Sequence, residues 1–87
     1  PPIEGIISPP FEGVKEEIMK ILAERLRLLR AEKKLSQAEF AKIMGLSTNG
    51  YQRYELDERD PTAPLIVEIT KYYNVSADYL LGLSDVR

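Results

Sequence analysis

The sequence predicts an all-α domain of five short helices preceded by an irregular, proline-rich arm. Three observations carry this. Apolar residues recur at three- and four-residue spacing, and no stretch reads as a strand. Ser36, Ser47, Thr62 and Ser76 each stand just before a helix-forming run, where a side-chain oxygen caps the first turn. Gly45, Asn74 and Gly82 close three of those runs, and Gly and Asn tolerate the left-handed backbone that ends a helix. At 87 residues the chain builds one modest core and not two.

Residues 1–13 hold four of the six prolines, and each Pro lacks an N–H and restrains the residue before it. An irregular arm is therefore expected there. Ile3, Ile6, Ile7 and Phe11 are too apolar for a solvated linker. The expectation is that they dock near the first or fifth helix (Tyr79, Leu80, Leu83) and contribute to a homodimer contact. The remainder, 14–87, forms the helical domain.

The first helix is predicted over 14–33. Val14, Ile18, Leu22, Leu26, Leu29 and Lys33 form its stripe, which Ile21, Arg25 and Leu28 widen. Ser36 and Glu39 stand at capping-box spacing and open a short second helix. Ala38, Phe40, Ala41, Ile43 and Met44 make that helix mostly buried, and Gly45 stops it. Ser47 caps the third helix, which runs to about Leu56 with Tyr51 and Tyr54 on its inward face. Gly50 is a weakness there, since glycine costs up to about 1 kcal/mol against Ala in a helix interior. Residues 56–64 form a polar loop. Thr62 then caps a fourth helix with Pro64 in its first turn, where the missing N–H has no intrahelical partner. Leu65, Ile66, Ile69, Tyr72 and Tyr73 give its apolar side. Ser76 caps a last helix over Ala77–Leu81.

Composition removes several functions. Without Cys there is no disulfide framework and no thiolate chemistry, and without His the commonest general base and zinc ligand are missing. The remaining Ser, Lys, Tyr and carboxylates form no pairing that suggests a catalytic cleft, so no enzyme, cofactor or metal is expected. The loop carboxylates lack the ligand spacing and glycine of a calcium loop. No apolar stretch is long enough to span a membrane. Net charge is −2, but residues 14–34 carry seven basic against four acidic side chains, so the positive charge is concentrated in the first helix.

Two short capped helices joined by a tight glycine turn are a helix-turn-helix candidate: the first crosses the nucleic-acid backbone while the second enters the major groove. The run from Leu35-Ser36-Gln37 through Ala41, Gly45-Leu46-Ser47, Arg53-Tyr54-Glu55 and Pro61 to Val75-Ser76 and Asp78-Tyr79-Leu80-Leu81-Gly82 resembles the Cro/repressor-type (Xre-like) helix-turn-helix family. The resemblance covers roughly residues 22–83. It implies a compact five-helix, lambda-repressor-like DNA-binding domain in a cytoplasmic, repressor-like transcriptional regulator. The partner it implies is double-stranded DNA, bound by a homodimer at a pseudo-palindromic operator.

Thr48, Asn49, Gln52 and Arg53 fall on the outward side of the third helix and carry groups of the kind that read base edges, Arg to guanine and Asn or Gln to adenine. By the resemblance they are the base-contact candidates; otherwise they form an ordinary solvated face. Gln37 and Ser47, at two helix starts, are the phosphate-contact candidates. Arg30 and Glu55 are implied to form a largely buried structural ion pair. Arg25, Arg27, Lys33 and Lys34 either approach phosphates or are solvated. Two features depart from the family pattern. The loop Leu56-Asp57-Glu58-Arg59-Asp60 is acidic where the family's is basic, and Gly50 removes a side chain from the reading helix. The acidic loop and pI of about 5.1 favour a second reading. In it the same fold serves protein interaction, as an antirepressor or antitoxin.

Overall fold

The computed structural model describes the backbone of residues 3–87 and the side chains from residue 13 onward. Five helices follow in order: α1 (Ile3–Glu32), α2 (Gln37–Ile43), α3 (Thr48–Glu55), α4 (Ala63–Tyr73) and α5 (Ala77–Leu80). No strand occurs among the described residues. The all-α class is as the spacing predicts.

The start of α1 is not. Its backbone is helical from Ile3, through Pro9 and Pro10, where the prolines predict an irregular arm. The φ that proline fixes, about −65°, is itself a helical value, so the pair fits the dihedrals. What it removes is two N–H donors, leaving the carbonyls of Gly5 and Ile6 without their helical partners. Proline inside a helix is thus a cost of about 3 kcal/mol and not a prohibition. The expected docking of Ile3, Ile6, Ile7 and Phe11 concerns side chains that lie outside the described residues.

The core-facing stripe of α1 is shorter than its apolar pattern. Residues 13–17 are exposed, Val14 at 50%, and burial is complete only at Leu22, Ala23, Leu26 and Leu29. Leu28 is about 100° around the helix from Leu29 and remains 47% exposed. The second helix is likewise less buried than its composition suggests. Phe40 and Ala41 are enclosed, whereas Ala38 and Ile43 face outward, because a two-turn helix lying on one side of the core encloses only one edge. Phe40 is the centre of the packing. Its ring stacks on Tyr73 at 5.0 Å between centroids, meets Tyr51 edge-on at 5.1 Å and reaches Tyr72 at 5.5 Å.

All four predicted caps form: the oxygens of Ser36, Ser47, Thr62 and Ser76 accept from the N–H groups of Glu39, Gly50, Leu65 and Tyr79. Glu39 completes the capping box by accepting from the Ser36 N–H at 2.8 Å. The helices end alike. Lys34, Gly45, Asp57, Asn74 and Gly82 all have positive φ, between 55° and 81°, one after each helix in turn. After α2 the Leu46 N–H donates to the Ala41 carbonyl at 2.8 Å and the Gly45 N–H to that of Lys42, the paired bonds that satisfy otherwise orphaned carbonyls. Gly82 is doubly constrained, since a Cβ there would also lie 2.8 Å from Ile21 Cδ1.

The last residues lie along one face of α1. Gly82 abuts Ile21, the Arg25 guanidinium donates to the carbonyls of Tyr79 and Ser84 and to Asp85, and Arg87 pairs with Glu32. Arg25 and Arg87 lie over the Tyr79 ring, 4.2 and 5.3 Å from its centroid.

Candidate nucleic-acid interface

The turn between α2 and α3 is two capping devices back to back. Gly45 ends one helix in the left-handed region, and two residues later the Ser47 oxygen accepts the Gly50 N–H at 3.0 Å to start the next. Gly50 acquires a reason here that its place in the sequence did not suggest. A Cβ at this position would stand 2.9 Å from Ser47 Oγ, so a side chain and the cap compete for the same space. The turn sets α3 with Tyr51 and Tyr54 inward, both buried, and with Thr48, Asn49, Gln52 and Arg53 all exposed on the other side. Arg53 makes no ion pair among the described residues. Its guanidinium, like the amides of Asn49 and Gln52, has its donors facing solvent.

Beneath this face lies a single carboxylate. Glu55, at the end of α3, is 1% exposed and accepts from three helices. Arg30 of α1 donates from Nε to Oε2 at 2.6 Å and from Nη2 to Oε1 at 3.0 Å. The Tyr51 hydroxyl donates to Oε2, and Gln37 Nε2, at the start of α2, donates to Oε1 at 3.0 Å. Arg30 also donates to the Leu35 carbonyl at 2.8 Å, and Arg27 to the backbone carbonyl of Glu55. Burial pushes the Glu55 carboxyl up. The hydrogen bonds from Arg30, Tyr51 and Gln37 outweigh that and hold it below its ordinary value. The same bond to Glu55 raises Arg30. The pair therefore stays ionised at neutral pH, and its donors satisfy both oxygens.

The sequence-predicted residues divide accordingly. Arg30 and Glu55 meet in the core. Gln37 is half-buried, with one amide hydrogen committed to Glu55, and Ser47 is exposed with its oxygen serving as a cap. Arg25 and Arg27 neither line a free face nor are simply solvated, since both donate to backbone carbonyls. Lys33, Lys34 and Lys42 remain exposed without such ties. The sequence missed two members of the network. Tyr51 was legible in principle, standing four residues before Glu55 on the same helix, but Gln37 gives no local signal because its acceptor is 18 positions away.

The acidic loop turns toward α1. Asp60 lies 3.3 Å from Lys15 Nζ, Arg59 sits 5.8 Å from the centre of the Tyr54 ring, and Asp57, Glu58 and Asp60 are exposed. A shallow cleft between the loop and α1 is lined by Lys15, Glu16, Met19, Lys20, Asp57 and Asp60, with charges of both signs. No helix among the described residues is long and apolar enough to cross a membrane.

A capped helix pair joined by a left-handed glycine, presenting a polar outward face on its second helix, is a helix-turn-helix. A family model described as helix-turn-helix matches residues 26–80, and the chain belongs to that family. Over 65 residues, three quarters of its length, it is 37% identical to the HTH-type transcriptional regulator ImmR of Bacillus subtilis, of which the match covers 51%. It is also 37% identical over 62 residues (71% of the chain) to an uncharacterized HTH-type transcriptional regulator of the same organism, YobD, covering 55% of that protein. The repressor protein C2 of Salmonella phage P22 is 31% identical over 62 residues, 71% of this chain and 29% of the phage protein. The chain thus spans about half the length of the Bacillus relatives it matches.

Proposed function

We propose that this chain is the DNA-binding part of a repressor-like transcriptional regulator, in which α3 enters the major groove of a pseudo-palindromic site bound by a homodimer in the cytoplasm. The observation that carries the reading is the outward face of α3. Thr48, Asn49, Gln52 and Arg53 are all exposed, while the inward face is anchored by Tyr51, Tyr54 and the buried Glu55. Side chains with free donors and acceptors on a rigid helix suit base-edge readout. The α2 start adds phosphate-binding groups, since its capping box uses the N–H groups of Ser36 and Glu39 and leaves those of Gln37 and Ala38 pointing out of the helix end. Relatives named as transcriptional regulators, and a phage repressor among them, support the same role. Size supports a homodimer: one such module buries little surface, and two supply paired half-sites. No chemical step is part of this function.

Selection of preferred duplexes from a random pool, followed by binding at several salt concentrations, tests it. A steep loss of affinity with salt and an enriched palindrome are expected. Arg53→Ala should cost about 1–3 kcal/mol on the preferred site and relax preference at one half-site position, while Gln37→Ala should weaken all sequences about equally. Wild-type affinity and selectivity in both variants would refute the docking. The exposed carboxylates of Asp57, Glu58 and Asp60 favour the second reading, a protein-interaction module, and absence of DNA binding at low salt would remove the first and leave that one preferred.

A further inference from the structure

Asn49 is exposed on the outward face of α3, and the residue after it is glycine. An asparagine in that position is chemically labile. The nitrogen of the following residue attacks the side-chain carbonyl carbon, and glycine puts no Cβ in the way. A larger residue would remove the hazard, but not without displacing the cap. A Cβ at Gly50 would stand 2.9 Å from Ser47 Oγ, so the cap that starts α3 keeps glycine beside Asn49. The same oxygen accepts the Gly50 N–H at 3.0 Å, and that nitrogen is the nucleophile the reaction needs. The N–H has no other acceptor among the described residues. The cap thus both imposes the labile pair and restrains it.

We propose that Asn49 is a self-modification site gated by the Ser47 cap, and that loss of its amide withdraws α3 from DNA. The consequence for DNA rests on the proposed function; the chemistry does not. When the first turn of α3 opens, the Gly50 N–H leaves Ser47. The nitrogen bonds to Asn49 Cγ, the Cγ–Nδ2 bond breaks, and the proton lost by Gly50 ends on the departing ammonia. Water then opens the five-membered imide. Breaking the new Cγ–N bond gives aspartate, and breaking the backbone C–N bond gives isoaspartate, whose main chain carries an extra methylene. Water is the sole co-reactant. Both products put a carboxylate where the proposed function has an amide facing base edges, and DNA phosphates repel it. Isoaspartate also lengthens the chain inside the first turn and spoils the geometry of the cap. The other asparagine, Asn74, is a built-in control. It precedes Val75, whose branched side chain shields the nitrogen and whose N–H donates to the Thr70 carbonyl at 3.1 Å.

The test ages the full chain in mildly alkaline buffer as native protein, in urea, as Ser47→Ala, and as Ser47→Ala combined with Gly50→Ala. Peptide mass maps read conversion of amide to acid at each asparagine, and an isoaspartate assay reads the second product. Conversion at Asn49 should be slow in the native chain and about fivefold faster in Ser47→Ala, the extra opening that loss of an ordinary cap allows. It should be fastest in urea, with Asn74 well behind. In the double variant the new Cβ meets no cap oxygen and should bring the rate back to the native one or below. Equal Asn49 rates in the native chain and Ser47→Ala, or no preference for Asn49 over Asn74 in urea, would overturn the proposal. Should Ser47→Ala fail to fold, the native chain and the urea sample still decide, since equal rates there would show that the folded turn gates nothing. The aged native protein is then separated by charge. The converted fraction, like Asn49→Asp, should bind the selected duplex about tenfold more weakly than the unconverted fraction of the same age, the scale of a lost base contact. Equal affinities would overturn the withdrawal from DNA while leaving the DNA-binding role intact. A native chain that binds no duplex overturns that role and the consequence drawn from it, and the mass maps still decide the chemistry.

Discussion

Between Glu55 and Asp60 the chain places four carboxylates in opposite circumstances. Glu55 is enclosed, with three side chains donating to it, while Asp57, Glu58 and Asp60 stand in solvent, and among the described residues only Asp60 of these has a cation within ion-pair distance. The difference does not come from the carboxylates. It comes from what the fold brings to them: Arg30 and Gln37 arrive from helices 25 and 18 positions away, and Tyr51 from one turn earlier. A buried charge is tolerated only when its hydrogen-bonding capacity is met, and the loop has no comparable set of donors.

The sharpest way to break this contrast is to remove one carboxylate from each region. Glu55→Ala strands the Arg30 guanidinium and should cost about 3–5 kcal/mol, while Glu58→Ala should lie within about 0.5 kcal/mol of the native protein. Thermal or denaturant midpoints measure both, and equal midpoints would show that the buried pair does not hold the fold. Acid extends the test. The Glu55 carboxyl is held below its unfolded value of 4.5, so its contribution to stability is complete above that pH and is lost as pH falls further, through the folded value. A plot of stability against pH should therefore drop below about 4.5, and Glu55→Gln should flatten that part of the drop. An unchanged slope in the variant would assign the acid sensitivity to other groups.

Two buried tyrosines sharpen the same comparison at smaller amplitude. The Tyr51 hydroxyl donates to Glu55, whereas the Tyr73 hydroxyl is buried with no hydrogen-bond partner among the described residues. Burial pushes both phenols up, and for Tyr51 the bond to Glu55 adds to it. Tyr51→Phe removes a bond to a charged acceptor and should destabilise by about 1.5–3 kcal/mol. Tyr73→Phe removes an unsatisfied hydroxyl and should stabilise by about 1 kcal/mol. Shifts of the same sign would mean that Tyr73 has a partner the packing does not reveal.

What the sequence made legible is what is local. The four caps and the left-handed ends at Gly45, Asn74 and Gly82 involve residues within one turn of each other, and side-chain chemistry announces them. The left-handed end at Lys34 is not legible, because lysine does not mark such a position and the paired backbone bonds impose it, and that at Asp57 is only weakly so, since aspartate visits this region less readily than glycine. The polar face of α3 follows from helical period, with Tyr51 and Tyr54 on the inward side. Arg25 and Arg27 could not be placed, since the carbonyls they cap belong to residues at least 28 positions away. The helical backbone through Pro9 and Pro10 is not legible from proline content, because proline inside a helix is a cost and not a prohibition.

The smallest expected effect concerns the loop alone. Asp57 holds φ at 59°, a region that crowds the Cβ of an L residue, and it closes α3 through its N–H to the Tyr54 carbonyl and that of Glu58 to Arg53. Its carboxylate also stands at the negative end of the α3 dipole, where an anion is unfavourable by about 0.3–1 kcal/mol. Asp57→Gly relieves both terms, but glycine frees the unfolded chain, which offsets about 0.4–1 kcal/mol of the gain. The net should be a stabilisation of about 0.5 kcal/mol. Asp57→Asn separates the contributions, since asparagine tolerates the left-handed backbone and removes only the charge. If charge dominates, Asn should exceed Gly, because only glycine frees the unfolded chain; if backbone strain dominates, Gly should exceed Asn. A lower melting midpoint for Asp57→Gly would mean that the carboxylate does something in this loop beyond ending a helix, and the contrast with Glu55 would have to be redrawn.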